Sequence, residues 1–208
     1  MWTWFPAILT TDRQGCKHMM KRRLRRIVRS LFVPIFRSVL KRDWLSEYID
    51  GGLEVGRDVA ILPDVYIDYS HYWHVSIGDE VTLAPYVKII AHDASTRRHL
   101  GYTRIGKIRI EDRVFVGAGS IILPGVTIGQ NSIIGAGSVV TSSIPENVVA
   151  AGNPAKVICT LEAFLAKREA EMHKVPLFGP EFRLDRGVTN EMRTSMNLAI
   201  GSGFGYVE

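Results

Sequence analysis

The sequence has little cysteine and lacks any long apolar stretch. Its 208 residues include only Cys16 and Cys159, too few for a disulfide scaffold or a four-cysteine zinc site, and typical of a reducing compartment. No apolar run reaches the roughly 18 residues that a membrane-spanning helix needs. Hydrophobic residues still make up 46% of the chain, so most of it should bury a core. We therefore expect one domain with appendages.

Acidic residues are missing from one segment, which makes the net charge of +5 misleading. Residues 13–42 hold eleven of the 26 lysines and arginines and no acid, so the rest of the chain carries 15 basic against 21 acidic residues. Apolar residues at helical spacing within residues 20–42 predict an amphipathic helix, interrupted at Pro34. This helix either contacts an anionic membrane surface peripherally or packs on the neighbouring domain or another subunit. The acidic remainder does not support nucleic-acid binding.

The rest of the chain is organised by an aliphatic residue that returns every six positions. The period is unbroken over residues 110–140; it also runs over residues 49–67, slips by four, and resumes over residues 77–89. A helix needs apolar returns near 3.6 and a half-buried strand returns of 2. A period of six therefore predicts short strands separated by turns, which bring each aliphatic residue back to one central axis.

The six-residue period is broken again between Ile89 and Ile110. These residues are 21 positions apart, where 18 or 24 would keep the phase. Residues 93–107 are polar and lack the aliphatic returns, which predicts an inserted loop that leaves the repeat. His92 lies where this loop departs. After the repeat, residues 161–174 have the pattern of a short helix, and residues 175–208 give no clear signal beyond a tail.

Three stretches of the sequence resemble the hexapeptide-repeat acyltransferases, in particular the maltose, galactoside and surface-polysaccharide O-acetyltransferases. They are SIGDEVTLAPYVKIIAHDAS from Ser76, the six hexads from Ile110, and VVAAGNPAKVI from Val148. The resemblance implies an all-β fold, a left-handed parallel β-helix of hexapeptide repeats over residues 49–158. We expect a basic arm with the N-terminal amphipathic helix over residues 1–48, and a short C-terminal helix and tail over residues 159–208.

The resemblance further implies an enzyme that moves an acetyl group from acetyl-CoA to a hydroxyl of a sugar or polysaccharide precursor. His92 in the AHD motif would be the general base, since a neutral imidazole can take the hydroxyl proton. Direct transfer is favoured because no cysteine or serine stands beside His92 as an activated nucleophile. Asp93 either orients His92 or caps the loop. Asp64 and Asp68 are expected at solvated corners, or else bind acceptor hydroxyls. The aromatic residues of 66–74 suit either stacking on a sugar ring or plain packing.

The donor side is implied by the same resemblance. The backbone N–H of Ala118 would face the oxygen of the tetrahedral intermediate. Lys156 would face the nucleotide phosphates of acetyl-CoA as a point charge. The other positions expected to bind acetyl-CoA are Ala136, Thr141, Gly152, Asn153 and Pro154. No metal is expected to be required, because residues 110–145 lack the histidines of the zinc-dependent carbonic anhydrases that share the fold.

The resemblance also implies a homotrimer with active sites between subunits, working in polysaccharide biosynthesis. The expected location is the cytoplasm, with peripheral contact at the inner membrane face through residues 20–42. Three alternatives stay open: an N-acetyltransferase of a nucleotide amino sugar, a serine O-acetyltransferase, and a non-catalytic β-helix scaffold. The sequence does not identify the acceptor.

Overall fold

The computed structural model describes residues 44–208, and Tyr48–Glu208 forms one compact unit. The predicted amphipathic helix of residues 20–42, with most of the basic arm, lies outside the described residues. Among the helices of residues 44–208, none has the length and apolar character needed to span a bilayer.

Short strands dominate the described chain. The helices are α1 (Trp44–Asp50), α2 (Arg97–Leu100), α3 (Leu161–Met172) and α4 (Asn190–Ile200), with 3-10 turns at Tyr72–His74, Pro180–Phe182 and Leu184–Arg186. The strands before residue 111 are β1 (Glu54–Val55), β2 (Ala60–Ile61), β3 (Tyr66–Ile67), β4 (Val75–Ile77), β5 (Thr82–Leu83), β6 (Lys88–Ile89), β7 (His92–Asp93), β8 (Arg104–Ile105) and β9 (Ile108–Ile110). The later strands are β10 (Phe115–Val116), β11 (Ile121–Ile122), β12 (Thr127–Ile128), β13 (Ile133–Ile134), β14 (Val139–Val140), β15 (Val148–Gly152), β16 (Ala155–Thr160), β17 (Leu177–Phe178) and β18 (Tyr206–Val207).

The chain visits three sheets in turn and so forms a coil. Sheet A has the order β1-β4-β9-β12, sheet B has β16-β15-β13-β10-β5-β2, and sheet C has β14-β11-β6-β3. Neighbouring strands are parallel, except that β16 returns antiparallel to β15. Partners in the last complete coils are 18 residues apart, as in Arg109 with Thr127 and Phe115 with Ile133. Three hexads therefore make one coil.

The first residue of each later hexad lies inside the coil. These residues have 0% or 1% exposure: Ile110, Val116, Ile122, Ile128, Ile134 and Val140. The fifth positions are buried as well, and where they are serine the hydroxyl is satisfied by the backbone. Ser120 and Ser138 both donate to the carbonyl of Gly135, at 3.0 Å and 2.6 Å. The central column is thus aliphatic, with each buried polar side chain hydrogen-bonded.

Two predictions at the ends of the repeat need correction. Ile49 is not a core residue, because it belongs to α1 and is 44% exposed; Leu53, at 2%, is the first buried position. The helix predicted over residues 161–174 is present as α3, but the tail also contains α4 and the parallel pair β17–β18. Helix α4 begins where the side chain of Thr189 accepts a hydrogen bond from the N–H of Met192.

Both breaks in the period occur at the same corner of the coil. Glu54 pairs with Ser76, 22 residues on, and Ser76 pairs with Arg109, 33 residues on, instead of 18. The extra residues lie between sheet C and sheet A in both coils. We call residues 68–74 the first excursion and residues 90–107 the second excursion. The second contains α2 and the antiparallel pair β7–β8, so the predicted inserted loop does leave the coil.

Coil stacking depends on glycine where the backbones of two neighbouring coils come close together. Gly117 and Gly119, which lie in the same turn, allow a direct test of this dependence. A Cβ on Gly117 would lie 2.5 Å from the backbone nitrogen of Ala136, whereas one on Gly119 would meet nothing within 4 Å. Gly117→Ala should cost about 2–4 kcal/mol, because neither backbone can yield without parting two coils. Gly119→Ala should cost only about 1 kcal/mol, for its φ of 70°. Urea unfolding measures both; equal losses would contradict the close stacking.

Candidate functional site

A buried carboxylate connects the starts of the two excursions. Asp68 follows β3 directly, and its backbone N–H donates to the carbonyl of Ile89 at 2.9 Å, which keeps it in register with the next coil. Its side chain has 0% exposure. Oδ1 accepts from the N–H and hydroxyl of Ser70, at 3.0 and 2.9 Å. Oδ2 accepts from the N–H of Ala91 at 2.9 Å and contacts Nδ1 of His92 at 2.5 Å.

The contact with Asp68 fixes the tautomer of His92. Burial alone would raise the pKa of the Asp68 carboxyl, but hydrogen bonds from His92 and Ser70 outweigh it, and the pKa lies below the ordinary 3.8. An ionised carboxylate can only accept, so Nδ1 of His92 carries a proton and donates it. In the neutral ring Nε2 then has a free lone pair, and within residues 44–208 it makes no hydrogen bond. The side chain is 28% exposed, which leaves it accessible to a solute.

The hydroxyl of Ser70 links a second histidine to this pair. Ser70 Oγ lies 2.9 Å from Asp68 Oδ1, 3.0 Å from His71 Nδ1 and 3.3 Å from His92 Nδ1. Its single proton goes to the carboxylate, so it accepts from His71, whose Nδ1 is therefore protonated as well. Ligand atoms of Asp68, His71 and His92 lie within 4.8 Å of one another. A metal ion held by the carboxylate and both Nδ1 atoms would have to displace these hydrogen bonds, whereas the Nε2 atoms are free of them.

Asp93 does not occupy the orienting position. Its carboxylate accepts the N–H of Ser95 at 2.9 Å, and that hydrogen bond holds the pKa of Asp93 below its usual value. The loop-capping alternative is thus the one that fits, and Asp68 orients His92. Asp68 is also not a solvated corner, whereas exposed Asp64 is one. The phase of the repeat could have identified the contact between Asp68 and His92, because it places Asp68 and the residues before His92 on adjacent coils.

Most of the predicted donor-binding residues share the corner between sheets B and C. The pairing of Ile121 with Val139 places exposed Ala118 beside exposed Ala136, and neither N–H donates a hydrogen bond within the described chain. Ile134 pairs with Ala150, so the hairpin between β15 and β16 lies at the same corner, one coil after Ala136. That hairpin holds Gly152, Asn153, Pro154 and Lys156, with a cis peptide bond before Pro154. Lys156 is exposed and forms no ion pair with any described residue.

The predicted base and the predicted oxyanion donor lie at different corners. Ala118 precedes β11, whereas His92 follows β6, the parallel neighbour of β11. They are therefore at opposite ends of sheet C in one copy of the chain. Thr141 follows β14 and shares the corner of His92, two coils further along. The structure thus brings Thr141 to the corner of the base, and leaves Ala118 and Ala136 at the other end of the sheet.

Comparison with known proteins agrees with this architecture. A family model described as the hexapeptide repeat of succinyl-transferase matches residues 107–142. Protein CapG of Staphylococcus aureus is 36% identical over 148 residues, which cover 67% of this chain and 83% of that protein. Galactoside O-acetyltransferase of Escherichia coli is 38% identical over 125 residues, which cover 50% of this chain and 62% of that enzyme.

One solved structure is similar over about half of the chain. It is a hexapeptide-repeat acetyltransferase of Vibrio cholerae in complex with acetyl-CoA, 31% identical, with a TM-score of 0.47 over 51% of this chain and 59% of that one. The chain spans between 39% and 62% of the length of four curated acetyltransferases that it matches. On the coil, the repeat and the match to CapG, the chain belongs to the hexapeptide-repeat acetyltransferase family.

Proposed function

We propose that the protein transfers the acetyl group of acetyl-CoA directly to a hydroxyl of a sugar or polysaccharide precursor, with His92 as the general base. One observation carries this proposal. Nδ1 of His92 is held by the ionised, buried carboxylate of Asp68, so in the neutral ring the free lone pair is on Nε2, and the side chain is partly exposed. This is the state in which an imidazole can accept a proton from a weakly acidic hydroxyl.

The chemistry then needs little from other side chains. Acetyl-CoA, when bound, supplies the acetyl group as a reactive thioester. Nε2 of His92 takes the proton of the acceptor hydroxyl as its oxygen bonds to the acetyl carbon. Asp68 stabilises the imidazolium that forms, and His92 returns the proton to the sulfur as the carbon–sulfur bond breaks. Proton transfer of this kind contributes typically about 10²–10⁴-fold in rate.

The corner between sheets B and C supports the donor assignment. The unpaired N–H groups of Ala118 and Ala136 are free to donate to the carbonyl groups of an extended acyl-CoA chain, and Lys156 is free to face its phosphates. Because Ala118 and His92 lie at opposite ends of sheet C, one copy cannot bring both to the same carbonyl. We therefore propose a left-handed coil assembled as a homotrimer, with sites between subunits.

The cellular setting belongs to the same proposal. A cytoplasmic trimer, held at the inner membrane face by residues 20–42, would reach precursors of surface polysaccharides.

The test of the whole function is a thiol-release assay with acetyl-CoA and a panel of sugars, amino sugars and serine. Release of CoA with sugars is the expected result. Turnover only with serine or an amino sugar would reassign the acceptor, and no turnover together with no CoA binding would identify a scaffold.

Replacing the base should abolish turnover while leaving the coil intact. His92→Ala should lower kcat by at least about 100-fold, because the hydroxyl loses its proton acceptor. His173→Ala is the matched control, as His173 is exposed at the end of α3, outside both excursions. Binding of CoA should change little in both variants. The melting temperature should fall in His92→Ala alone, because the buried carboxylate of Asp68 loses one of its hydrogen bonds, and circular dichroism should still show the folded coil. Near-normal turnover of His92→Ala would remove this histidine from the mechanism.

Replacing the orienting carboxylate separates Asp68 from Asp93. Asp68→Asn should lower kcat by about 10²-fold or more, because an amide can donate to Nδ1 and favour the opposite tautomer. Asp93→Asn should retain most of its turnover, since Asp93 caps a turn through Ser95. Steady-state kinetics with a saturating sugar measure both. A larger loss in Asp93→Asn than in Asp68→Asn would reverse the assignment.

The ionised state of Asp68 should be visible in the pH dependence of stability. Its pKa is lower in the folded than in the unfolded chain, so the carboxylate stabilises the fold above the unfolded value. This contribution is lost as the pH falls through the folded value. From about pH 5 to about pH 2, the free energy of unfolding should fall more steeply for the wild type than for Asp68→Asn. Parallel curves from urea titrations would contradict an ionised Asp68.

A further inference from the structure

A row of aromatic rings runs from the candidate base along the first excursion. The ring centre of His71 lies 5.1 Å from that of His92 and 5.4 Å from that of Trp73. Trp73 in turn lies 5.7 Å from His74. These distances are within the range of packed aromatic pairs. The row therefore forms a continuous surface that begins at the base.

Trp73 is held in place and yet remains open to solvent. The ring of its neighbour Tyr72 stacks on Tyr48, with centres 4.4 Å apart and planes 15° from parallel. Trp73 meets Tyr72 edge to face at 5.3 Å. The indole is nevertheless 49% exposed. A large aromatic side chain that is fixed on one side and open on the other is suited to bind the apolar face of a ligand.

The row ends at a small cleft that carries positive charge. Lys107 and Arg109 are both exposed, and neither forms an ion pair within residues 44–208. The cleft measures about 110 Å³ and is lined by Trp73 and His74 together with Glu54, Val75, Ser76, Lys107, Ile108 and Arg109. The volume is too small for a sugar ring but can hold one carboxylate or phosphate group with some water. Two cations against one acid favour an anion there.

We propose that this row and cleft form the acceptor subsite for an anionic saccharide. The sugar ring would lie on Trp73 with a hydroxyl directed at His92. The carboxylate or phosphate of the saccharide would enter the cleft beside Lys107 and Arg109. Nδ1 of His71 contacts Ser70, so in the neutral ring Nε2 of His71 would accept a hydrogen bond from a second hydroxyl. This inference rests on the proposed acetyl transfer and names the class of its acceptor.

The first test compares acceptors that share one ring. A methyl hexopyranoside, the corresponding hexuronic acid and the hexose 1-phosphate are assayed by CoA release in the wild-type protein. The better of the two anionic acceptors should exceed the neutral one in kcat/KM by about tenfold, and added salt should reduce this preference. A preference for the uronic acid would identify a carboxylate ligand, and one for the hexose phosphate a phosphate ligand. Equal kcat/KM for all three would overturn the anionic assignment.

Variants then separate stacking from charge. Trp73→Ala should raise KM for all three acceptors by about tenfold, and Trp73→Phe should restore most of the affinity. Lys107→Ala with Arg109→Ala should remove the anionic preference alone. KM for acetyl-CoA should be unchanged throughout. Phe204→Ala and Lys174→Ala, an exposed aromatic and an exposed cation of the C-terminal segment, are the matched controls.

A binding measurement makes failure of this subsite distinguishable from failure of the acetyl transfer. Saturation-transfer NMR detects the same three saccharides on the wild-type protein without any donor. Saccharide binding that Trp73→Ala abolishes, without CoA release, would leave the subsite standing and remove the transferase. CoA release with sugars that Trp73→Ala leaves unchanged would remove the subsite and keep the transferase. Absence of saturation transfer from every saccharide would overturn the subsite directly.

Discussion

The carboxylate of Asp68 is the interaction on which the arrangement of the site depends. A buried charge without partners would be costly, but this one accepts hydrogen bonds from two backbone N–H groups, a hydroxyl and an imidazole. One of those N–H groups belongs to Ala91, on the next coil. The same carboxylate therefore joins two coils and sets the tautomer of His92. Stability and the proposed proton transfer are therefore coupled through a single group.

The location of the site follows from the geometry of the corners. At the two regular corners, residues in the left-handed region stack coil upon coil; between sheets A and B these are Asp58, Glu80, Arg113, Asn131 and Asn147. Side chains reinforce that column, as Arg113 donates to Asn131 and Asn131 to Asn147. The third corner lacks such a column in the first two complete coils and has the excursions instead. Strands of two or three residues leave little freedom elsewhere, so loops at this corner carry the functional side chains.

The sequence predicts the coil and indicates His92 as a candidate base, but it does not identify the side chain that contacts Nδ1 of His92. The six-residue period repeats over many turns, and His92 stands at a clear break in it. Asp93 was a natural partner because it is adjacent in sequence. His92 and Asp93 are, however, consecutive residues of strand β7, and consecutive strand side chains point to opposite faces. The partner had to come from another coil, 24 residues earlier.

Other parts of the chain were not predicted for different reasons. The apolar residues Met192, Met196 and Ile200 of helix α4 do return at helical spacing, but none of its residues is buried, so the helix is not marked by a core position. The row from His71 to Trp73 could be read as a binding surface or as packing, because composition does not reveal exposure. Tyr72 packs on Tyr48, whereas Trp73 is exposed, so packing accounts for the first of these adjacent residues and not for the second.

The proposed base is anchored to the coil, whereas the surface that would select the acceptor is not. Asp68 and Ala91 are tied to neighbouring strands by backbone hydrogen bonds at the points where the excursions begin. Trp73 and α2 lie further along the excursions, where nothing in the hexad phase constrains sequence or length. Changes there can alter the contact with an acceptor without moving Nε2 of His92. A stacked coil with excursions at one corner thus separates proton transfer, which needs a fixed ring, from recognition, which needs a variable surface.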